Sequence, residues 1–272
     1  MRGLTRSAAR LWLTGIASMA ASAFAAAPAW SADSSQPTDW SFALGAKVWA
    51  TEWTSWTPVA TGTNSIQVIQ SIAANTHVAV IPQASVRYGS WLATASYFAN
   101  TTYSLGGDVS PTTGSLGALS AQRKEIDGNL GYYILPSLAV TLGYKQIDQD
   151  FTNPNLPYRW VGPTVGVAAS APLRGALGLY GTFAYGRLRL EAPVPDAAGE
   201  THFNADYLLG EFGLSYGVPT PLSSLSFSVT LGYRAQIVST RRFDVSTGFD
   251  GYQPVDVHDI TQGPALSVLG RF

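Results

Sequence analysis

The stretch Ile260-Thr-Gln-Gly-Pro-Ala-Leu-Ser-Val-Leu-Gly-Arg-Phe272 decides how the rest of the chain is read. Ile260, Gln262, Pro264, Leu266, Val268, Gly270 and Phe272 share one face of an extended strand, and Thr261, Gly263, Ala265, Ser267, Leu269 and Arg271 share the other. From Leu266 onward the first face is mostly apolar, while the second is small or polar apart from Leu269. That alternation predicts lipid on one side of the strand and a wet lumen on the other. Chain ends fray unless tied down. Pairing this strand with the first one would close a barrel, as hydrocarbon requires, because an open sheet edge cannot survive there.

Working back from that end, nine further segments alternate with period two. The first, 40 to about 52, sets Trp40, Phe42, Leu44, Ala46 and Val48 against Ser41, Ala43, Gly45 and Lys47. The second, 77–88, sets Val78, Val80, Ala84 and Val86 against Gln83, Ser85 and Arg87, and a Gly89-Ser90 turn leads to the third, 91–100. The fourth, about 121–135, opposes Arg123, Glu125, Asp127 and Asn129 to Lys124, Ile126, Leu130 and Tyr132. After Pro136-Ser137 the fifth opposes Leu138, Val140, Leu142 and Tyr144 to Thr141, Gly143 and Lys145. The sixth covers about 158–169, and the seventh carries Leu177, Leu179, Phe183 and Tyr185 on one face. In the eighth, about 203–216, Leu208, Phe212, Leu214 and Tyr216 oppose Glu211 and Ser215. The ninth sets Leu225, Phe227, Val229, Leu231 and Tyr233 against Ser226, Ser228, Thr230, Gly232 and Arg234.

Connections between these segments alternate in length. Short ones fall near 89–90, 135–137, 170–175 and 217–224, and long ones near 54–76, 101–120, 148–157, 191–202 and 238–259. Ten strands with both ends inside need five outer loops and four inner turns, and membrane barrels place long loops outside and short turns inside. The expected fold class is therefore all-β: a closed antiparallel up-and-down transmembrane β-barrel of about ten strands, with counts of eight and twelve left open. An alternating last strand ending on Phe272 resembles the C-terminal signature of bacterial outer-membrane β-barrel proteins. The resemblance implies residence in the outer membrane, contact with its lipid and lipopolysaccharide, and recognition of Phe272 as an assembly signal by the barrel-assembly machinery.

The N-terminal region agrees with export. Arg2, Arg6 and Arg10 precede a short apolar core over 11–24 and an Ala-rich run with small-residue cleavage options. A membrane helix needs about 20 apolar residues, so residues 1–29 are expected to be a signal peptide and 30–272 the barrel domain. Removing those three arginines leaves 13 Lys and Arg against 17 acids, a net charge of about −4. No basic patch then exists to neutralise phosphates, which excludes nucleic acid as the expected partner. The chain has no cysteine, which rules out disulfides and thiolate zinc sites. Only 12% of residues are charged, fewer than a soluble surface of this size carries.

Strand parity points Lys47, Arg87, Glu125, Asp127, Lys145, Glu211, Arg234 and Arg271 into the lumen. A ten-stranded lumen is only slightly wider than one that side chains fill, and an unpaired buried charge costs several kcal/mol. These charges are expected to pair into a polar, largely filled interior. Such a barrel would be non-enzymatic, with its surface loops serving structural or interaction roles. Trp53, Trp56, Tyr103, Phe249 and Tyr252 are candidate loop contacts for a surface ligand. One rival is a narrow porin-like channel for small solutes.

The other rival is a hydrolase at the outer rim, built on His258-Asp259 or on His202 with Asp206. Outer-membrane proteases of ten strands use Asp and His at that rim, but their paired-aspartate pattern is not matched here. Gly213-Leu214-Ser215-Tyr216-Gly217 fits the GxSxG pattern, which needs a strand-to-helix elbow rather than an alternating strand. Asp244, Asp250, Asp256 and Asp259 do not have EF-hand spacing. No cofactor, metal or catalytic residue is expected.

Overall fold

A computed structural model describes residues 40–61, 66–106, 119–152, 155–221, 225–248 and 251–272. The expected signal peptide, 1–29, lies outside the described residues. Eleven strands follow in order: β1 (Trp40–Thr61), β2 (Ile66–Ala74), β3 (His77–Tyr88), β4 (Trp91–Gly106), β5 (Leu119–Leu135), β6 (Leu138–Thr152), β7 (Asn155–Arg174), β8 (Leu177–Glu191), β9 (His202–Val218), β10 (Ser226–Gly248) and β11 (Gly251–Arg271).

All neighbours pair antiparallel, and β11 returns to β1 with Val48 opposite Leu266 and Ala46 opposite Val268. Ten strands form this ring, because β2 and β3 are one strand interrupted at Asn75 and Thr76. β2 pairs with the outer half of β1, and β3 with the inner half. Closure pairs β1 with β11 along both halves of the seam, from Ala43–Arg271 to Trp49–Ala265 and from Glu52–Gln262 to Ser55–Asp259, so neither strand presents a free edge to lipid. Phe272 seals the inner end by exchanging backbone hydrogen bonds with Phe42 at 2.8 and 2.9 Å.

The tight inner turns are set locally: Gly89 (φ 56°) and Gly175 (φ 58°) take the left-handed conformation that residues with a Cβ avoid. Outside, the architecture departs from the expected loops. Residues 54–61 and 66–74 form a strand hairpin, and β10 and β11 continue outward to Gly248 and Gly251. A bilayer needs only about 9–11 residues of a tilted strand, whereas β1, β10 and β11 run 22, 23 and 21 residues. The excess stands above the membrane. There water replaces lipid on the outer face while the inner face stays packed, so the rule of apolar outside and polar inside lapses and the sequence loses the signal that marked the strands below.

Two register shifts also change which residues face inward. One lies between Phe98 and Thr101 in β4, the other between Thr240 and Phe243 in β10, where Arg242 adopts φ 57°. An extra residue in one strand reverses the parity beyond it. Phe98 is buried before the first shift, and Tyr103 and Leu105 are buried after it. Val238 and Thr240 are buried before the second, and Val245 after it.

Candidate functional site

The interior is held by ion pairs that run from wall to wall. Glu125 on β5 accepts from Arg123 Nε at 2.8 Å and faces Lys145 Nζ of β6 at 2.7 Å. Lys145 also reaches Asp127 at 3.3 Å, and Asn129 Nδ2 donates to Asp127 at 2.6 Å. Arg123 Nη1 donates across the barrel to Asp259 of β11 at 2.8 Å. Gln236 Nε2 of β10 donates to Glu125 at 2.6 Å. In the ten-strand ring β5 and β10 lie diametrically opposite, so that hydrogen bond spans the full lumen.

A second knot sits beside the first. Glu211 on β9 accepts from Lys47 Nζ at 2.5 and 2.6 Å, from Arg234 Nη1 at 2.9 Å and from the Tyr180 hydroxyl at 3.0 Å. Four cations (Lys47, Arg123, Lys145, Arg234) therefore meet four anions (Glu125, Asp127, Glu211, Asp259). Charge-assisted hydrogen bonds of this kind hold their geometry where water is excluded.

Of the eight lumen charges read from the sequence, six lie in these pairs. Arg87 lies nearer the turns, stacked over the Tyr133 ring at 4.3 Å and donating to the Gly89 carbonyl at 3.0 Å. Arg271 is exposed at the turn-side rim. The charges missing from that set are Arg123 and Asp259. Arg123 was legible, since it shares parity with Glu125. Asp259 was not, because the length of β11 above Ile260 decides that it turns inward.

Above the ion pairs the inner wall is aromatic. Trp49 and Trp53 are fully buried, and both share the parity of Lys47. The Trp49 indole N–H donates to the Gly263 carbonyl at 3.1 Å, and Arg234 lies 5.1 Å from its ring. Trp53 packs edge-on against Tyr103, and the Tyr103 hydroxyl pairs with Thr51 Oγ1 at 2.8 Å. Trp53 and Tyr103 were expected as surface contacts on loops; burial removes both from that role. Tyr252 is exposed, Trp56 sits edge-on to His258, and Phe249 lies outside the described residues.

Between the aromatic walls a cavity of about 220 Å³ opens at the outer mouth. Phe151, Tyr158, Trp160, Leu190 and Phe243 form much of its wall, and Gln149 and Asp259 form part of its polar lining.

Neither histidine–aspartate candidate is assembled. His258 is exposed and meets Trp56, while its neighbour Asp259 is buried on Arg123. His202 and Asp206 lie four residues apart on β9, roughly 13 Å along a strand. Asp206 is engaged instead by Arg187 at 3.0 Å, Arg241 at 2.5 Å and the Tyr185 hydroxyl at 2.8 Å. Ser215 lies in the regular ladder of β9, opposite Thr230 and Gly178. Among the described residues no group of three His, Cys, Asp or Glu could hold a metal ion.

The outward face completes the picture. Leu44, Leu130, Leu142, Val165, Leu231 and Leu266 are exposed around the ring. Toward the turns they are bordered by Trp40 on Tyr88 (4.8 Å) and Trp91 on Tyr132 (5.0 Å). Toward the mouth Tyr97, Tyr144 and Tyr185 are exposed. An apolar belt outside, aromatic rings at its edges and ions inside reverse the plan of a soluble barrel, and only lipid satisfies such an exterior.

This chain is a membrane-spanning β-barrel.

No protein-family model matches the barrel, and no curated protein matches it. Among solved structures it is similar to the outer membrane protease OmpT from Escherichia coli, with 11% identity over 87% of this chain and 98% of that one and a TM-score of 0.47. It is also similar to the translocator domain of the autotransporter NalP from Neisseria meningitidis (11% identity, 98% of each chain, TM-score 0.38). A third is the Pseudomonas putida toluene transporter TodX (10% identity, 86% and 90%, TM-score 0.29). The activities those names state, of a protease, a translocator and a transporter, are those proteins' own.

Proposed function

We propose that the barrel is non-enzymatic, that its lumen is closed by the ion-pair bridge, and that its outer mouth and standing hairpins form a binding surface. One observation carries this reading: the Gln236–Glu125 hydrogen bond and the Arg123–Asp259 pair join opposite walls at one level. A narrow porin-like channel would need those contacts to part, leaving charges unpaired at a cost of about 3–5 kcal/mol for each broken pair. A rim hydrolase would need an acid–base pair, and the two candidates are held apart.

The partners fit the same reading. Arg187, Arg189, Arg159 and Arg241 are exposed on β7, β8 and β10, and the first two follow the belt residue Tyr185 on one face of β8. They face the level of anionic headgroups, as contact with lipopolysaccharide requires. Phe272, hydrogen-bonded to Phe42 at the seam, is the proposed assembly signal.

Conductance of the refolded barrel in a planar bilayer tests the proposal. The expected result is a silent membrane, with folding shown by heat-modifiable gel mobility. Stable open steps in salt would overturn it and leave the channel as the function.

A further inference from the structure

The mouth cavity has a chemistry that narrows its ligand. Asp259 and Asp196 both line it, and among the described residues no Lys or Arg does. Gln149 is almost fully buried, lines the cavity, and leaves Oε1 without a hydrogen-bond partner. Asp259 gives Oδ1 to Arg123, while Oδ2 is also unpartnered. The Trp53 indole N–H faces Asp259 but falls outside hydrogen-bonding geometry, leaving both atoms unpaired. Two buried acceptors thus wait in the lining of a site walled by Tyr158, Trp160, Phe151 and Phe243. Buried acceptors without donors are costly. Aromatic faces attract cations through the ring quadrupole.

The charges beneath leave the choice of ligand to the lining itself: Arg123, Lys145, Lys47 and Arg234 balance Glu125, Asp127, Asp259 and Glu211 one for one. An anion brought to this mouth would meet Asp259 and Asp196, with His258 as the one basic side chain in the lining.

We propose that this cavity binds a small amphipathic amine, with its ammonium donating to Asp259 Oδ2 and Gln149 Oε1 and its apolar body between Tyr158, Trp160 and Phe243. At about 220 Å³ the space suits a fragment-sized molecule rather than a drug-sized one. The proposal rests on the mouth being a binding surface.

Titration of the refolded barrel in nonionic detergent tests it, using tryptophan fluorescence and calorimetry. The probes are phenethylammonium, its neutral counterpart 2-phenylethanol and the anion 3-phenylpropionate. Phenethylammonium is expected to saturate a single site, with 2-phenylethanol at least 10-fold weaker and the anion not binding. Asp259→Asn should weaken the amine at least 10-fold. Because that change also touches Arg123, Val257→Trp at the cavity wall provides a variant that leaves the ion pairs intact, and it should abolish binding.

Equal binding of all three probes, no binding, or full binding by Val257→Trp would each overturn the proposal. A barrel that stays silent in the bilayer yet ignores the amine fails this inference alone. A barrel that conducts fails the closed-lumen reading whatever it binds.

Discussion

Replacing Glu211 by Gln is the most demanding test of the interior. The side chain keeps its shape and can still meet the Tyr180 hydroxyl, but it no longer carries the charge that Lys47 and Arg234 share. Those two cations are then left without their anion in a site where Glu211 itself is nearly fully buried. Arg234 Nε already lacks a partner, so the guanidinium has little left to lean on. Removing one partner of a buried pair costs about 3–5 kcal/mol, and stranding two cations places Glu211→Gln at the upper end of that range.

Lys47→Met is the contrasting change. It leaves a neutral Glu211–Arg234 pair and removes the knot's excess positive charge, so its cost should be smaller. Reversible guanidinium unfolding in detergent, followed by tryptophan fluorescence, measures both, because Trp49 lies against Arg234. The Glu211→Gln deficit should persist at high salt, since buried charges are screened little. If Glu211→Gln unfolds within about 1 kcal/mol of the parent, or no worse than Lys47→Met, the buried-pair reasoning is refuted.

Other consequences follow from single contacts. Asp206→Asn acts on pairs whose arginine partners are more than half exposed (54% and 58%), so it should cost no more than about 1 kcal/mol and less in salt, by the same unfolding assay. Gly263→Ala should block closure: Gly263 has φ 151°, worth about 1–3 kcal/mol of strain for an L residue, and a Cβ there would run into the Ala50 carbonyl oxygen. Its readout is loss of the heat-modifiable gel form. Deleting Phe272 removes two backbone hydrogen bonds to Phe42 and a ring contact at 6.2 Å, and should lower the folded fraction in cell envelopes. Removing Arg187, Arg189 and Arg241 together should cut co-purifying lipopolysaccharide several-fold while leaving gel mobility unchanged.

The sequence by itself determined the barrel. Lipid outside and ions inside impose a strict period of two on each membrane-crossing segment, and that period is visible without coordinates. It placed β3 at 77–88, put Lys47, Glu125, Lys145, Glu211 and Arg234 on inward faces, and gave ten strands from alternating connection lengths. The tertiary structure alone decided what lies above the belt. There water replaces lipid on the outer face, the apolar-out rule lapses, and β1, β10 and β11 continue as hairpins where loops were expected. Two bulges reverse parity near the mouth, bringing Tyr103 inward and setting Phe243 beside Phe203. Which ion meets which was equally hidden. Parity gives the face of a side chain but not its height in a sheared ring, and only closure sets Arg123 on Asp259, 136 residues away in the chain.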